Sequence, residues 1–118
     1  MAKSKARLFA DLADKMKQTT ATLSGITQQT VDNVPANNND AIIFNIVATR
    51  DIDYHYATVT AVRTANADCD YTQFGDIYSD VELANYAVDI NNGIFRLRAT
   101  ATALGDTTYK ITRIGVER

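Results

Sequence analysis

The sequence predicts a mainly β protein: an antiparallel β-sandwich head, jelly-roll-like, of about six or more strands, preceded by a short N-terminal helix and an extended arm. Three observations predict it. From Ala41 to Arg118, apolar and polar residues alternate with period two through most segments. β-Branched and aromatic residues are dense there, and turn residues interrupt them at intervals of roughly 8–15 positions with no helical pattern between. Asn92-Gly93, between two alternating runs, is the pair that tolerates positive φ at both central positions of a type I′ hairpin.

The elements read as follows. Ala6 to Lys17 contains good helix formers, and Leu8, Phe9, Leu12, Ala13 and Met16 recur at spacings of three and four, which places them on one face. Ser4 suits the N-cap, and Lys15 and Lys17 complement the helix dipole at the other end. A helix of about a dozen residues is marginal alone in water, so this apolar stripe needs a partner. The following stretch, to about Asp40, is rich in Thr, Gln and Asn, holds the only proline, Pro35, and lacks apolar periodicity. It reads as an extended arm, too long for a loop inside a compact domain. Residues 1–40 are therefore expected to be an anchor of helix plus arm, and residues 41–118 the head.

In the head, Ile42, Phe44, Ile46 and Ala48 alternate with Ile43, Asn45, Val47 and Thr49 as a largely buried strand. Tyr54 to Arg63 carries β-branched and aromatic residues in both phases. Tyr71 to Tyr78 follows, with Gly75 marking a bulge or close backbone contact. Ala84, Tyr86, Val88 and Ile90 share a face, as do Phe95, Leu97, Ala99 and Ala101 opposite Arg96, Arg98, Thr100 and Thr102. After a turn at Gly105-Asp106, the apolar phase shifts between Tyr109/Ile111 and Ile114/Val116, which predicts a bulge near Thr112.

Composition narrows the function. The 118 residues allow one domain; 46% are hydrophobic and 22% charged, the balance of a globular chain. A net charge of −2 and a pI near 5.2 give no general attraction for nucleic acid or an anionic membrane. No apolar run is long enough to span a membrane, and the start does not read as a signal peptide, so synthesis in a cytoplasm is expected. Cys69 is the only cysteine, which excludes an intrachain disulfide and reads as a small half-buried residue between Asp68 and Asp70. The single histidine, His55, lies mid-strand between tyrosines and reads as packing rather than catalysis. Asp51/Asp53 and Asp68/Asp70 have the spacing of paired carboxylates but lack the rest of a calcium loop, and read as solvated turns. Arg96 and Arg98 have the reach for phosphate or carboxylate, with pairing to neighbouring strands the plainer reading. Lys3, Lys5 and Arg7 read as a solvated or docking segment, and the scattered glycines form no phosphate loop. No cofactor or metal is expected. Tyr54, Tyr56, Tyr71, Tyr78 and Tyr86 suit strand faces that meet a partner, because each brings contact area and a polar tip at low entropic cost.

Three segments carry a family resemblance: Tyr71-Thr72-Gln73-Phe74-Gly75, the hairpin Asp89 to Leu97, and the terminal strand Thr107 to Arg113. With the opening AKSKARLFADL, they resemble a β-domain of structural proteins of tailed bacteriophages, especially those of marine bacteria and cyanobacteria. The resemblance implies a virion component without an active site: a fibre, whisker or decoration subunit, commonly a homotrimer. It places Leu8, Phe9, Leu12 and Met16 against a capsid, neck or tail protein, while the tyrosine-bearing head oligomerises. Two other readings stand beside it: a module binding host glycans through exposed tyrosines, and a hydrolase using Asp51, Asp53, Asp68 or Asp70.

Overall fold

The computed structural model describes residues 16–37, 39–65 and 68–117. Eight strands follow in order: β1 (Met16–Ser24), β2 (Gln29–Pro35), β3 (Asn39–Arg50), β4 (Asp53–Ala65), β5 (Asp68–Tyr78), β6 (Ala84–Asn91), β7 (Ile94–Ala101) and β8 (Asp106–Glu117). All pair antiparallel, in a larger sheet ordered β1-β8-β3-β4-β5 and a smaller one ordered β2-β7-β6. One buried cluster joins Ile42, Phe44, Ile46 and Val59 of the larger sheet to Val88, Phe95 and Leu97 of the smaller. The pairing of β1 with β8 and β2 with β7 folds the first and last described strands back together, as a jelly roll does. The roll is not completed, because β4 and β5 extend the sheet of β3 and β6 pairs only with β7.

Alternation sets most of this register. Along β3 every second residue from Ile42 to Ala48 is buried, and β6 and β7 bury the faces the sequence assigns them. The β6–β7 hairpin closes on Asn92 and Gly93, with φ of 52° and 74°, and pairs Asn91 with Ile94. Gly75, with φ of 69°, sits where β5 takes three steps, Phe74 to Ile77, against two on β4, Thr58 to Tyr56. That is a bulge, with two residues opposing Ala57 alone.

The N-terminal third departs from expectation. The stretch expected as an extended arm forms β1 and β2, which join the six strands β3 to β8 of the expected head. No helix occurs among the described residues. Met16 and Lys17, expected at the end of a helix, open β1 instead, while Ser4, Leu8, Phe9 and Leu12 lie outside the described residues. The cause lies in how these strands meet the core. In β1 the inward positions Thr19, Ala21 and Leu23 are small or only half-buried, so alternation is weak, and Thr22 hydrogen-bonds Thr108 across the pair at 2.9 Å. In β2 a bulge makes Val31 an extra residue between Thr30 and Asp32, which breaks the period that Asp32, Val34 and Ala36 otherwise keep.

The bulge expected near Thr112 is absent: β8 runs in unbroken register past Thr112 against both β1 and β3. Ile114 and Val116 change phase because they point outward from the larger sheet. The irregularity lies instead between Asn39 and Ala41, beside Gly115. A Cβ at Gly115 would overlap the side chain of Asn39, which donates to the Pro35 carbonyl at 3.0 Å.

Polar side chains close the gap between the sheets at both ends. At one end Arg50 donates to Thr107 Oγ1 at 3.0 and 3.2 Å and to the Leu83 carbonyl at 3.3 Å. At the other, Arg113 of β8 pairs with the buried carboxylate of Asp32 on β2 and donates to the Asn33 carbonyl at 3.1 Å. Removing one partner of a buried pair strands the other charge. Arg113→Leu should therefore destabilise the fold by about 3 kcal/mol in urea unfolding, and adding Asp32→Leu should recover most of the loss. Equal losses for the single and double variants would show that the pair does not clamp the sheets.

Candidate functional site

Among the described residues, one group of three histidine and carboxylate side chains is close enough to share a metal ion, where β4, β5 and the β5–β6 loop meet. His55, Asp76 and Glu82 each offer a ligand atom there, all within 4.8 Å of one another. His55 is fully buried because its phase on β4 is that of Ala57 and Val59. Asp76 faces it because the Gly75 bulge turns residue 76 to the inner side, the side that Gln73 already occupies.

The hydrogen bonds fix the chemistry of this cluster. The backbone N–H of Leu83 donates to His55 Nδ1 at 3.1 Å. A backbone N–H only donates, so Nδ1 must accept and the ring proton sits on Nε2, which donates to Asp76 Oδ1 at 2.8 Å. Gln73 Nε2 donates to the same oxygen at 2.8 Å, and Gln73 Oε1 accepts from the Tyr86 N–H at 3.1 Å. The Tyr78 ring meets the imidazole edge-on, with centroids 5.5 Å apart. Both ring nitrogens are thus engaged. A metal on Nε2 would require an imidazolate, and a base would have to break the Leu83 bond first. The cluster is built to tie β4, β5 and β6 together.

The other expected site residues do not converge. Asp51 and Asp53 lie at the β3–β4 turn, where Asp53 accepts from Ser79 at 3.3 Å, whereas Asp68 and Asp70 lie at the far end of β5. The length of β4 separates the two pairs, so the four carboxylates form no common hydrolytic site. Of the tyrosines, Tyr86 is buried in the core edge-on to Tyr109, with centroids 6.2 Å apart, and is not a surface residue. Burial first, with Tyr109 and Asp76 adding, pushes its phenol far above the ordinary range. Tyr71 and Tyr78 are exposed on the inner phase of β5, while Tyr54 and Tyr56 point outward from β4. They make no single tyrosine platform.

Cys69 is half-buried, and its thiol donates to the Val88 carbonyl at 3.5 Å. Burial pushes this thiol up, and the charges of Asp89, Asp70 and Asp68 add to the shift. On the outward face of the smaller sheet, Arg96 binds both carboxylate oxygens of Asp89, at 2.7 and 2.6 Å, with Arg98 at 3.9 Å. The arginines therefore pair with a neighbouring strand, the plainer of their two readings.

The outward face of the larger sheet was not singled out in the sequence. Paired positions stack into rows across it: Ile77, Tyr56, Val47, Lys110 and Thr20 in one, and Phe74, Thr58, Asn45, Thr112 and Gln18 in the next. Ile77 is 70% exposed, Tyr54 59% and Phe74 50%. Asn45 Oδ1 accepts from Tyr56 at 3.0 Å and from Thr58 at 3.1 Å, so polar groups at the centre already satisfy one another. Its signal in the sequence is the shortage of charge in the outward phase of β3, β4 and β8.

No protein-family model matches the chain, and no curated protein matches it. Among solved structures it is similar to the tailspike protein of Acinetobacter baumannii phage AM24, with a TM-score of 0.46 and 8% identity over 91% of this chain and 27% of that one. It is also similar to the tailspike protein of Acinetobacter phage vB_ApiP_P1, with a TM-score of 0.42 and 9% identity over 86% of this chain and 21% of that one. The chain spans about a quarter of the length of these tailspikes.

Replacing His55 by Phe keeps the ring volume but leaves the Leu83 N–H and Asp76 without their partner, and should cost about 2 kcal/mol by chemical unfolding. Excess zinc should leave the melting temperature of the unaltered protein unchanged; a zinc-dependent rise would contradict the tautomer assigned to His55.

Asp89 supplies a pH signature. The hydrogen bond from Arg96 holds its carboxyl below the ordinary range against the opposing effect of desolvation, and the charges of Arg96 and Arg98 add to the lowering. A carboxyl lowered by folding stabilises above its unfolded pKa and loses that contribution as pH falls through the folded value. Asp89→Asn should therefore narrow the stability gap between neutral and acid pH, modestly because the pair is partly exposed. Parallel stability–pH curves for the two proteins would show that the pair contributes nothing.

Proposed function

We propose that this chain is a non-enzymatic structural subunit of a tailed-bacteriophage virion, an accessory fibre or decoration subunit whose N-terminal residues attach it to a capsid, neck or tail protein while the β-head self-associates. The observation that carries this reading is the role of the residues that bear the family resemblance. Gly75 forms the bulge that aims Asp76 at His55, Asn92-Gly93 forms the type I′ turn, and Thr107 to Arg113 lies within β8 between β1 and β3. These residues are architectural. The His55–Asp76–Glu82 cluster is likewise committed to holding strands together, as expected of a subunit whose work is assembly.

In this reading attachment falls to the residues ahead of the strands. Because residues 16–24 and 29–35 are strands of the two sheets, the attaching segment in this reading is residues 1–15, with Leu8, Phe9 and Leu12 as its apolar stripe. Met16, expected to belong to the same stripe, opens β1. Leu8→Asp with Leu12→Asp in the full chain should leave the head's melting temperature unchanged and deplete the protein from purified particles. Full occupancy of particles by this variant would remove the anchor reading.

A further inference from the structure

Building on the reading of the chain as a self-associating subunit, we propose that the outward face of the larger sheet is the surface on which a second copy of this chain packs. The smaller sheet shows what a solvated face looks like in this fold: Asp89, Arg96 and Arg98 form a charge network on it. The larger sheet presents the reverse. Among the described residues, the outward positions of β3 from Ala41 to Thr49 and of β4 from Tyr54 to Thr64 carry no charge. Lys110 is the charged side chain within the face, and Asp68, Asp70 and Asp106 lie at its margins.

Three considerations point to a copy of the same chain as the occupant. An uncharged face offers nothing to a strongly charged partner, but it meets itself without repulsion. Its central polar atoms, on Asn45, Tyr56 and Thr58, are already hydrogen-bonded to one another, which lowers the cost of removing water from them. Five strands about 4.8 Å apart and about ten residues long present roughly 800 Å², close to the area each partner gives to a standard stable interface.

In the simplest closed arrangement a two-fold axis runs along β3 and lays β8 of one copy over β4 of the other. Residues of the same row then face each other: Lys110 meets the ring of the partner's Tyr56, a favourable cation–π geometry, and Thr60 meets the partner's Ile114. Tyr54 and Tyr56 belong to this contact, whereas Tyr71 and Tyr78, in the other phase of β5, and the buried Tyr86 do not.

The test is the native mass of the full-length protein by sedimentation velocity and native mass spectrometry over a range of concentrations. The unaltered protein should self-associate. Thr60→Arg, at the centre of the face, and Ile77→Lys, near its edge, should each weaken association by about 100-fold or more, because each buries a charge without a partner. Asn85→Lys, on the smaller sheet, should leave association unchanged, and circular dichroism melts should show which variants are folded. If one face variant fails to fold, the other decides.

A trimer dissolved by these substitutions keeps the face and replaces the two-fold axis by a three-fold one. A monomer at every concentration overturns the proposal, as does an oligomer that survives both substitutions in folded protein. A monomer that still joins particles leaves the virion reading standing and removes only self-packing. A self-associating protein absent from particles does the opposite.

Discussion

The fold depends on how the open edge of β6 is closed. The smaller sheet ends at that strand, and among the described residues no strand pairs with its outer side. An unpaired edge leaves backbone groups that must find partners or water. Here the partners are side chains of β5: Gln73 accepts from the Tyr86 N–H and the Cys69 thiol donates to the Val88 carbonyl. One strand therefore belongs to the larger sheet by its backbone and closes the smaller one by its side chains. The Gly75 bulge makes this work. Gln73 and Asp76 are three apart, a spacing that in a regular strand would send them to opposite faces. With the bulge both point inward, and the relay from Tyr86 through Gln73, Asp76 and His55 to Leu83 is complete. The space beside Gly75 is open to a Cβ, so it is the positive φ, not crowding, that requires glycine there.

Closing the core this way sorts the charges. Arg50 and the Asp32–Arg113 pair cap the two ends of the gap between the sheets, and the Asp89 network sits outside the smaller sheet. Burying an ion is costly unless it is paired, so these groups gather where pairs and carbonyl groups are available. The outward face of the larger sheet receives little of this charge. Sheets facing water on one side normally carry polar and charged residues in that phase, but here β3 and β4 place Ile43, Val47, Tyr54, Tyr56 and Val62 in it. Threonine supplies most of the remainder, keeping the face β-favourable without making it charged.

Most of the head was legible in the sequence because its strands obey simple rules. Period-two burial in β3, β6 and β7, the Asn92-Gly93 turn and the glycine bulge in β5 all follow from local chemistry. β1 and β2 were not legible, for two reasons. β1 lies at an edge, so its inward residues need not be large, and a Thr-rich edge strand resembles a linker in composition. β2 carries its own bulge, which places the buried Val31, Asp32 and Val34 out of simple alternation. The outward phase shift of Ile114 and Val116 misled in the opposite way, since periodicity assumes that apolar residues point inward. The candidate site was less legible still. His55 read as a packing residue, but its partners Asp76, Gln73 and Leu83 come from a bulge and a loop whose geometry no short-range pattern encodes.

Placing β1 in the larger sheet also links the two surfaces that assembly would use. Met16 pairs with Ile114, in the row that Ile43 and Thr60 continue across the outward face. Met16, the first described residue, therefore lies at the margin of that face. Copies packed through the face would hold their Met16 residues in a fixed spatial relation. In the proposed attachment, three apolar residues such as Leu8, Phe9 and Leu12 offer little contact area, and one copy of them would bind weakly alone. Two or more such stripes presented together gain from effective concentration, which raises avidity by orders of magnitude without a new contact. Self-packing of the head would thus be a condition for firm attachment, even though the two use different residues. This coupling requires only that a neutral sheet face and a short apolar segment meet at one edge strand.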